Sequence, residues 1–493
     1  MIRHSSRQGM ALLLVSMVIV LVALAAYGYL DHMQSQYRLA KMQLEQTEAK
    51  QTAFSGLELC SSLLDRPGQL RQSMGSMEDN VAIFGERILV SDPANAETDS
   101  AAWRFSVISP KQDTTNTNRA AGTSTLPFRY GMENESAKLH IPTLLEWDRN
   151  QPGSARRALL NLPGANDELV TIFLEYCRAP QQSPKQATAP DRIASVWNGG
   201  DWNRNYRLDA FEQQLASLNE GRAADNVEPS ASDSPQTSAS WQQYLTWESG
   251  QRNVNWNGQP RIFLNQSDLQ KLHRELMVTW PDTWANYVIL ARQYGVATKP
   301  GNISATAAEV VPAPDFQLPA KSTFRSPLDL MDTIVRIPTE SGTTTTIVSP
   351  FLSEMAQQSD YLGKLLDDVT TTPSEFLTGV VDVNSAPVEV LQGIPGMTSS
   401  IAQRCVQVRQ AQTTSPTSET YHIGWLLTQS VCNLQTLRQL YPYLAARSDV
   451  YQVQVIGYRD DLSPTFRASA IIDGRVSPTR VRQFQHWQNW GRF

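Results

Sequence analysis

No proline occurs before Pro67 in this chain. A helix that starts near the N-terminus therefore meets no residue lacking a backbone donor until that point. Cysteine is scarce: Cys60, Cys177, Cys405 and Cys432 are the whole set, with no C-x-x-C pair. That spacing excludes zinc fingers and ribbons. The even count suits disulfides in an oxidising compartment and leaves three pairings open. The six histidines (His4, His32, His140, His273, His422 and His486) are scattered, and no two have the spacing of ligands on one helix. G-x-S-x-G, P-loop, H-E-x-x-H and dinucleotide-binding fingerprints are all missing, so no local motif calls for an enzyme. There is no basic excess either. Lys and Arg number 42 against 48 Asp and Glu, a net charge of -6, which argues against nucleic acid as a partner.

What is present is a chain of 493 residues, 41% apolar and 18% charged, enough for two or three folded units with real cores. Its N-terminus is the most informative part. Met10 to Ala26 is apolar apart from Ser16, and Tyr27 to Leu30 extend the run. That is about the ~20 residues a helix needs to cross a bilayer. Met1 to Gly9 precedes it with Arg3 and Arg7, and basic residues ahead of a span hold that end in the cytoplasm. Two processing events fit. Ala23-Leu24-Ala25 is a signal-peptidase match that discards the apolar run, whereas cleavage between Gly9 and Met10 keeps it. The continuation favours keeping it. Leu30, Met33, Tyr37, Ala40 and Leu44 recur at spacings of three and four, so the span runs into an amphipathic helix ending near Leu64. At about 1.5 Å per residue this is a rod of ~80 Å.

Strand signals flank a long middle. After the helix come Ile83 to Ser91, Trp103 to Ser109 and Phe128 to Leu144, within which Arg87-Ile-Leu-Val and Trp103-Arg-Phe-Ser-Val-Ile read as strands, with β-branched and aromatic residues between turn formers; Val450 to Tyr458, Phe466 to Ile472 and Arg480 to Trp487 are three more candidates. The expected fold class is α+β: a long N-terminal helix on an antiparallel sheet whose strands come from both ends of the chain. Residues 146–440 then form a large, mostly α-helical insertion. It is broken by polar, Pro/Ser/Thr-rich loops at Ala179 to Pro190, Glu220 to Ser240, Lys299 to Pro327 and Thr413 to Glu419.

Two motifs stand out within the insertion. In Val383-Asn-Ser-Ala-Pro-Val-Glu-Val-Leu-Gln-Gly-Ile-Pro-Gly-Met-Thr-Ser-Ser-Ile-Ala, Asn384 or Ser385 caps a helix with Pro387 in its first turn. Gly393, Ile394, Pro395 and Gly396 then form a tight hairpin before a second helix, a helix-hairpin-helix unit. It recurs more weakly at Leu160-Asn-Leu-Pro-Gly, with Pro163 matching Pro395. Such hairpins bind DNA through backbone N–H groups when basic residues are close. Here Asp382, Glu389, Arg404 and Arg409 cancel, and Thr398 stands where a second glycine belongs, so the unit reads as packing. The second motif, Asp201-Trp-Asn-Arg-Asn-Tyr-Arg-Leu-Asp-Ala-Phe-Glu, places Asp201, Asn203, Asn205, Arg207 (by its carbonyl), Asp209 and Glu212 as the oxygen ligands of a calcium loop. Tyr206 occupies the position of the usual glycine, and a plain polar Asx-turn loop is the alternative. Asn253-Val-Asn-Trp-Asn-Gly reads as a turn. Cys405 and Cys432 flank the second hairpin helix and its successor and are a possible disulfide, leaving Cys60 and Cys177 as a pair or as two buried thiols.

The short basic leader ending in Gly9, followed by the apolar helix, resembles a type IV prepilin leader. Most pilins carry a glutamate at the fifth mature position; here, counting from Met10, it is Leu14. Lacking that glutamate, carrying the hairpin, and having Glu135-Ser-Ala-Lys-Leu-His-Ile ahead of the insertion, the chain is similar to the K-type minor pseudopilins of type II secretion systems. The resemblance implies a pilin-like fold with a leader (1–9), a transmembrane and amphipathic helix (10–64), β parts at 65–145 and 441–493, and the inserted domain between them. It implies cleavage by prepilin peptidase at Gly9–Met10 and an inner-membrane anchor with the rest in the periplasm. It also implies calcium, partners among the I and J types, and a structural role at the tip of the pseudopilus. A membrane-tethered helix-hairpin-helix DNA receptor of the competence type is the alternative.

Overall fold

The computed structural model describes residues 6–89, 102–110, 128–178, 241–299, 311–338, 343–411, 418–459 and 464–488. The N-terminal helix runs unbroken from Ser6 to Leu64 and stops just ahead of Pro67, as the proline-free sequence predicts. Its first part is exposed: Leu12, Tyr27, Tyr37 and Leu44 all face outward. From Ala49 onward a different face turns inward. Ala49, Ala53, Leu57, Cys60, Leu63 and Leu64 are buried at spacings of three and four, so the last turns of this stem belong to a core while the earlier ones stand free of it.

That core is closed by a seven-stranded sheet. Its strands are β1 (Arg87–Ile88), β2 (Arg104–Pro110), β3 (Phe128–Tyr130), β4 (Glu133–Asn134), β5 (Val450–Tyr458), β6 (Phe466–Asp473) and β7 (Arg480–Gln488). The order is β1-β2-β5-β6-β7, with β3 on β2 and β4 on β5, and every pairing is antiparallel. Strands from the two ends of the chain thus meet at the β2–β5 pair, where Val455 lies opposite Val107. Alternate residues of β5 (Tyr451, Val453 and Val455) pack with the stem residues, as do Phe105, Phe466 and Ile472. Asn80 Oδ1 accepts from Ile83 N (3.3 Å) and caps a single helical turn, Val81–Phe84, and of the expected strand Arg87-Ile-Leu-Val the residues Arg87–Ile88 pair with β2, Val90 lying outside the described residues.

Between β4 and β5 the chain builds a second core. The helices include Ile141–Asn150, Ser154–Leu160, Asp167–Arg178, Leu269–Leu276, Asp282–Tyr294, Met355–Asp367, Val388–Gln392 and Ser399–Ala411. Half-buried Trp284 packs against Trp280 (5.6 Å) and Phe351 (5.1 Å) of this core, and Phe351 against Tyr361 (5.4 Å). This body is more mixed than a helical insertion. Thr333–Pro338 pairs antiparallel with Thr344–Val348 on one side and with Ala297–Thr298 on the other, and among the described residues four further ladders of two or three residue pairs tie distant loops together. The β-branched run Thr344-Thr-Thr-Ile-Val carries the strand signal that helical periodicity hides. The polar stretch around 311–327 is also not loose: Val311 and Phe324 are buried, and Lys321 N and Ser322 N bond the Arg292 carbonyl (2.8 and 3.0 Å). The other three polar stretches fall wholly or largely outside the described residues.

The closeness of stem and sheet is set by glycine. A Cβ at Gly457 on β5 would overlap the Ala49 carbonyl oxygen and lie 2.8 Å from the Ala53 nitrogen. At Gly28, on the exposed part of the stem, a Cβ meets nothing within 4 Å. Gly457→Val should therefore cost about 1–3 kcal/mol or more by overpacking, whereas Gly28→Ala should be neutral or slightly stabilising. Chemical denaturation of the full chain in detergent checks both, and equal tolerance would contradict this seating of the stem.

Candidate functional site

Three places carry features with functional meaning. The first is the stem itself. It is long and apolar enough to cross a membrane. Every member of the expected stripe with a large side chain, Leu30, Met33, Tyr37 and Leu44, is exposed, so that face has no partner among the described residues. Gly9 and Met10 lie inside this helix.

The second is the pair of helical hairpins. Val388–Gln392 and Ser399–Ala411 are joined by Gly393-Ile-Pro-Gly396, and Ser154–Leu160 and Asp167–Arg178 by a matching turn. The two turns have the same wiring: Ile394 N to Leu391 O and Met397 N to Ile394 O in one, Leu162 N to Leu159 O and Ala165 N to Leu162 O in the other, all at 3.1 Å. Gly164 (φ 72°) and Gly396 (φ 84°) both occupy the left-handed region, where glycine carries no penalty. The hairpins also touch each other, for Asn161 Nδ2 donates to the Gln392 carbonyl (3.1 Å) and a Cβ at Gly393 would sit 3.2 Å from Ala158 Cβ. Their charges suit packing better than phosphate. Arg409 Nη1 is turned inward onto the Val383 and Ala386 carbonyls (3.0 and 2.9 Å), and the first turn of the second helix in the weaker hairpin holds Asp167 and Glu168.

The third is the seam between the sheet and the inserted body, which sequence reasoning missed. The chain enters the insert through Glu135-Ser-Ala-Lys-Leu-His and leaves it through Leu444 to Asp449. The two roots lie side by side, with Ser136 Oγ and Ser448 Oγ 2.9 Å apart. Lys138 is almost wholly buried between Glu133 (2.8 Å) and Glu135 (3.0 Å), and Thr246 also donates to Glu135. Asp449 is fixed by Arg71 (2.8 Å) and by the Arg252 N–H (2.7 Å), and the guanidiniums around it hold its carboxyl below the usual range despite its burial. Arg252 also donates to the Leu64 carbonyl (2.9 Å), so a cation from the insert caps the negative end of the stem. Asp473 binds Arg475 and Arg482, each at 2.9 Å, and Arg475 reaches Glu248 of the insert (3.0 Å). Along the seam opens a cavity of about 330 Å³ whose wall includes Arg71, Glu78, Trp256, Asp382, Arg409 and Arg447.

The four cysteines are free thiols. Cys60 is buried in the stem core and Cys177 is half-buried against the core of the insert, so those two are separate thiols and not a pair. Cys405 and Cys432 are near enough for one to raise the pKa of the other. Burial is the larger cause, and it pushes them up to about 11 and about 12. His140 is buried between Thr143 Oγ1 (2.8 Å) and the Trp247 carbonyl (3.0 Å), and burial lowers its pKa to about 4. The calcium-loop residues Asp201, Asn203, Asn205, Arg207, Asp209 and Glu212 lie outside the described residues. Among the described residues no group of three or more His, Cys, Asp or Glu is arranged to hold a metal. Asn253, in the second asparagine-rich stretch, is a structural clip, its amide donating to the Thr372 and Ser374 carbonyls (3.0 and 2.9 Å). No protein-family model, curated protein or solved structure matches the chain.

Proposed function

We propose that this chain is a non-enzymatic, membrane-tethered assembly subunit, a minor pseudopilin of the K type at the tip of a type II secretion pseudopilus. The observation that carries the reading is the stem. One helix is apolar through Leu30, exposed and without a partner among the described residues through Leu44, then buried from Ala49 against an antiparallel sheet supplied by both ends of the chain. A soluble protein leaves no such length of apolar helix in water. In this reading prepilin peptidase cuts between Gly9 and Met10, the anchor stays in the inner membrane with the folded body in the periplasm, and the exposed stripe packs among similar helices. The inserted body would cap the fibre sterically. Leu14 stands where a carboxylate would need a neutralising neighbour in the bilayer, and a tip subunit has no subunit above it to supply one. The competence-type DNA receptor has less behind it, given the inward Arg409 and the acidic first turn at Asp167.

Co-expression with I- and J-type pseudopilins and detergent purification tests the proposal. The full chain should retain them, and Met33→Glu with Tyr37→Glu should release them. No association in any combination would remove the reading.

The loop from Asp201 to Glu212 is proposed to hold calcium through Asp201, Asn203, Asn205, Asp209, Glu212 and the Arg207 carbonyl. Calcium added to chelator-treated protein should raise its melting temperature, with the rise growing as the logarithm of free calcium above the dissociation constant, and Glu212→Gln should abolish the rise. A melting temperature indifferent to calcium in the wild type would reduce the motif to a polar loop.

A further inference from the structure

Glu78 and Asp382 face each other across the seam. Glu78 follows the end of the stem helix and precedes the first strand of the sheet, and Asp382 lies on the insert strand Val381–Asp382. Both carboxylates draw on one amide: Asn134 Nδ2 donates to Glu78 Oε1 (3.1 Å) and to Asp382 Oδ2 (2.8 Å). They also share Ser385, whose hydroxyl donates to Glu78 Oε1 and lies 3.4 Å from Asp382 Oδ2. A hydroxyl has one hydrogen to give, so two like charges converge on too few donors.

We propose that Asp382, set against Glu78, is a protonation latch that fastens the inserted body to the stem-and-sheet body under mildly acid conditions and loosens towards neutrality. A proton on Asp382 removes the repulsion between two carboxylates that converge on the same Asn134 amide and Ser385 hydroxyl. The surrounding charges do not supply that attraction themselves. From the sheet, Arg129 Nη1 reaches only the far oxygen of Glu78, at 3.5 Å. Arg71 is engaged by Asp449. Arg409, on the insert, attracts Asp382 but spends Nη1 on two carbonyls. Tyr451 on β5 feels both carboxylates, which help burial to push its own pKa up, so it stays neutral. Asn384 N donates to Asp382 Oδ1 (2.9 Å). Burial first and Glu78 second raise the Asp382 pKa to about 6. Asp382 then holds its proton about a hundredfold more tightly than an exposed aspartate.

The sign follows from linkage. With the folded pKa raised, the contribution is complete below about 4 and is lost as pH rises through about 6. His140 and His422 oppose it, since both have pKa values lowered to about 4 by burial and cost stability as pH falls from about 6.5. The latch must therefore be read as a difference between variants. This inference does not depend on the secretion reading.

The test is an infrared titration of the full chain in detergent, together with hydrogen exchange over residues 381–386 at pH 5.5 and 7.5. In the wild type a protonated-carboxyl band should disappear near pH 6. It should be missing from Asp382→Asn and shifted to lower pH in Glu78→Gln. Exchange at 381–386, corrected for its intrinsic pH dependence, should be about tenfold faster at pH 7.5 than at pH 5.5 in the wild type and unchanged between them in Asp382→Asn. If Asp382→Asn does not fold, the wild type and Glu78→Gln decide the matter alone. No protonated carboxyl above pH 5, a band indifferent to both substitutions, or exchange equal at the two pH values in the wild type would overturn the proposal.

Discussion

The close approach of the stem to β5 governs the rest of the molecule. Gly457 lets the backbone at Ala49 and Ala53 come against the strand, and Gly56 in turn leaves room for Val455 and Phe105. With helix and sheet this near, Leu57, Cys60, Leu63 and Leu64 are removed from water, at roughly 1.5–3 kcal/mol for each large aliphatic side chain. Phe54 stacks on Phe484 at 5.5 Å and extends the contact to the last strand. Only the C-terminal quarter of the helix is held in this way, so the anchored end must be rigid enough to orient the rest. Arg252 at the Leu64 carbonyl and Thr479 at Asp65 complete that fixing at the very end of the helix.

The second constraint is the ionic seam. Insertion of a large body between β4 and β5 brings the two roots together, and the residues that meet there are mostly charged and buried. A buried charge is tolerated only with a partner, which is why Lys138 has two carboxylates and Asp449 two arginines. Such contacts contribute little net stability compared with apolar packing, but removing one partner is costly, so they fix the relative placement of two bodies. Asp382 is set instead against a charge of its own sign, Glu78, and for that reason is a place where a proton can act.

How much of this was legible in the sequence depended on the range of the interaction. The stem could be read because absence of proline and apolar periodicity are local properties, and its end at Leu64 fell where expected. Strands β5, β6 and β7 were legible for the same reason, since alternation and β-branching are visible within nine residues. The short ladders of the insert were not, because a pairing of two residues such as Val381–Asp382 with Leu444–Ala445 leaves no pattern in either segment. Nor was the seam: Arg71 and Asp449 are 378 positions apart, and nothing near either announces the other. Glu135-Ser-Ala-Lys-Leu-His drew notice only by resemblance, and its physical role as a buried root emerges from the partners it meets.

The assembly role requires a stem retained in the mature protein, apolar end included. The most direct measurement is the N-terminus of the protein isolated from cell envelopes, by intact mass and terminal sequencing. A chain beginning at Met10 is predicted, with the exposed helix kept for membrane and fibre. A chain beginning at Ala26 would mean that the apolar run is a discarded signal, leaving a soluble body with a stub of stem and contradicting the assembly role.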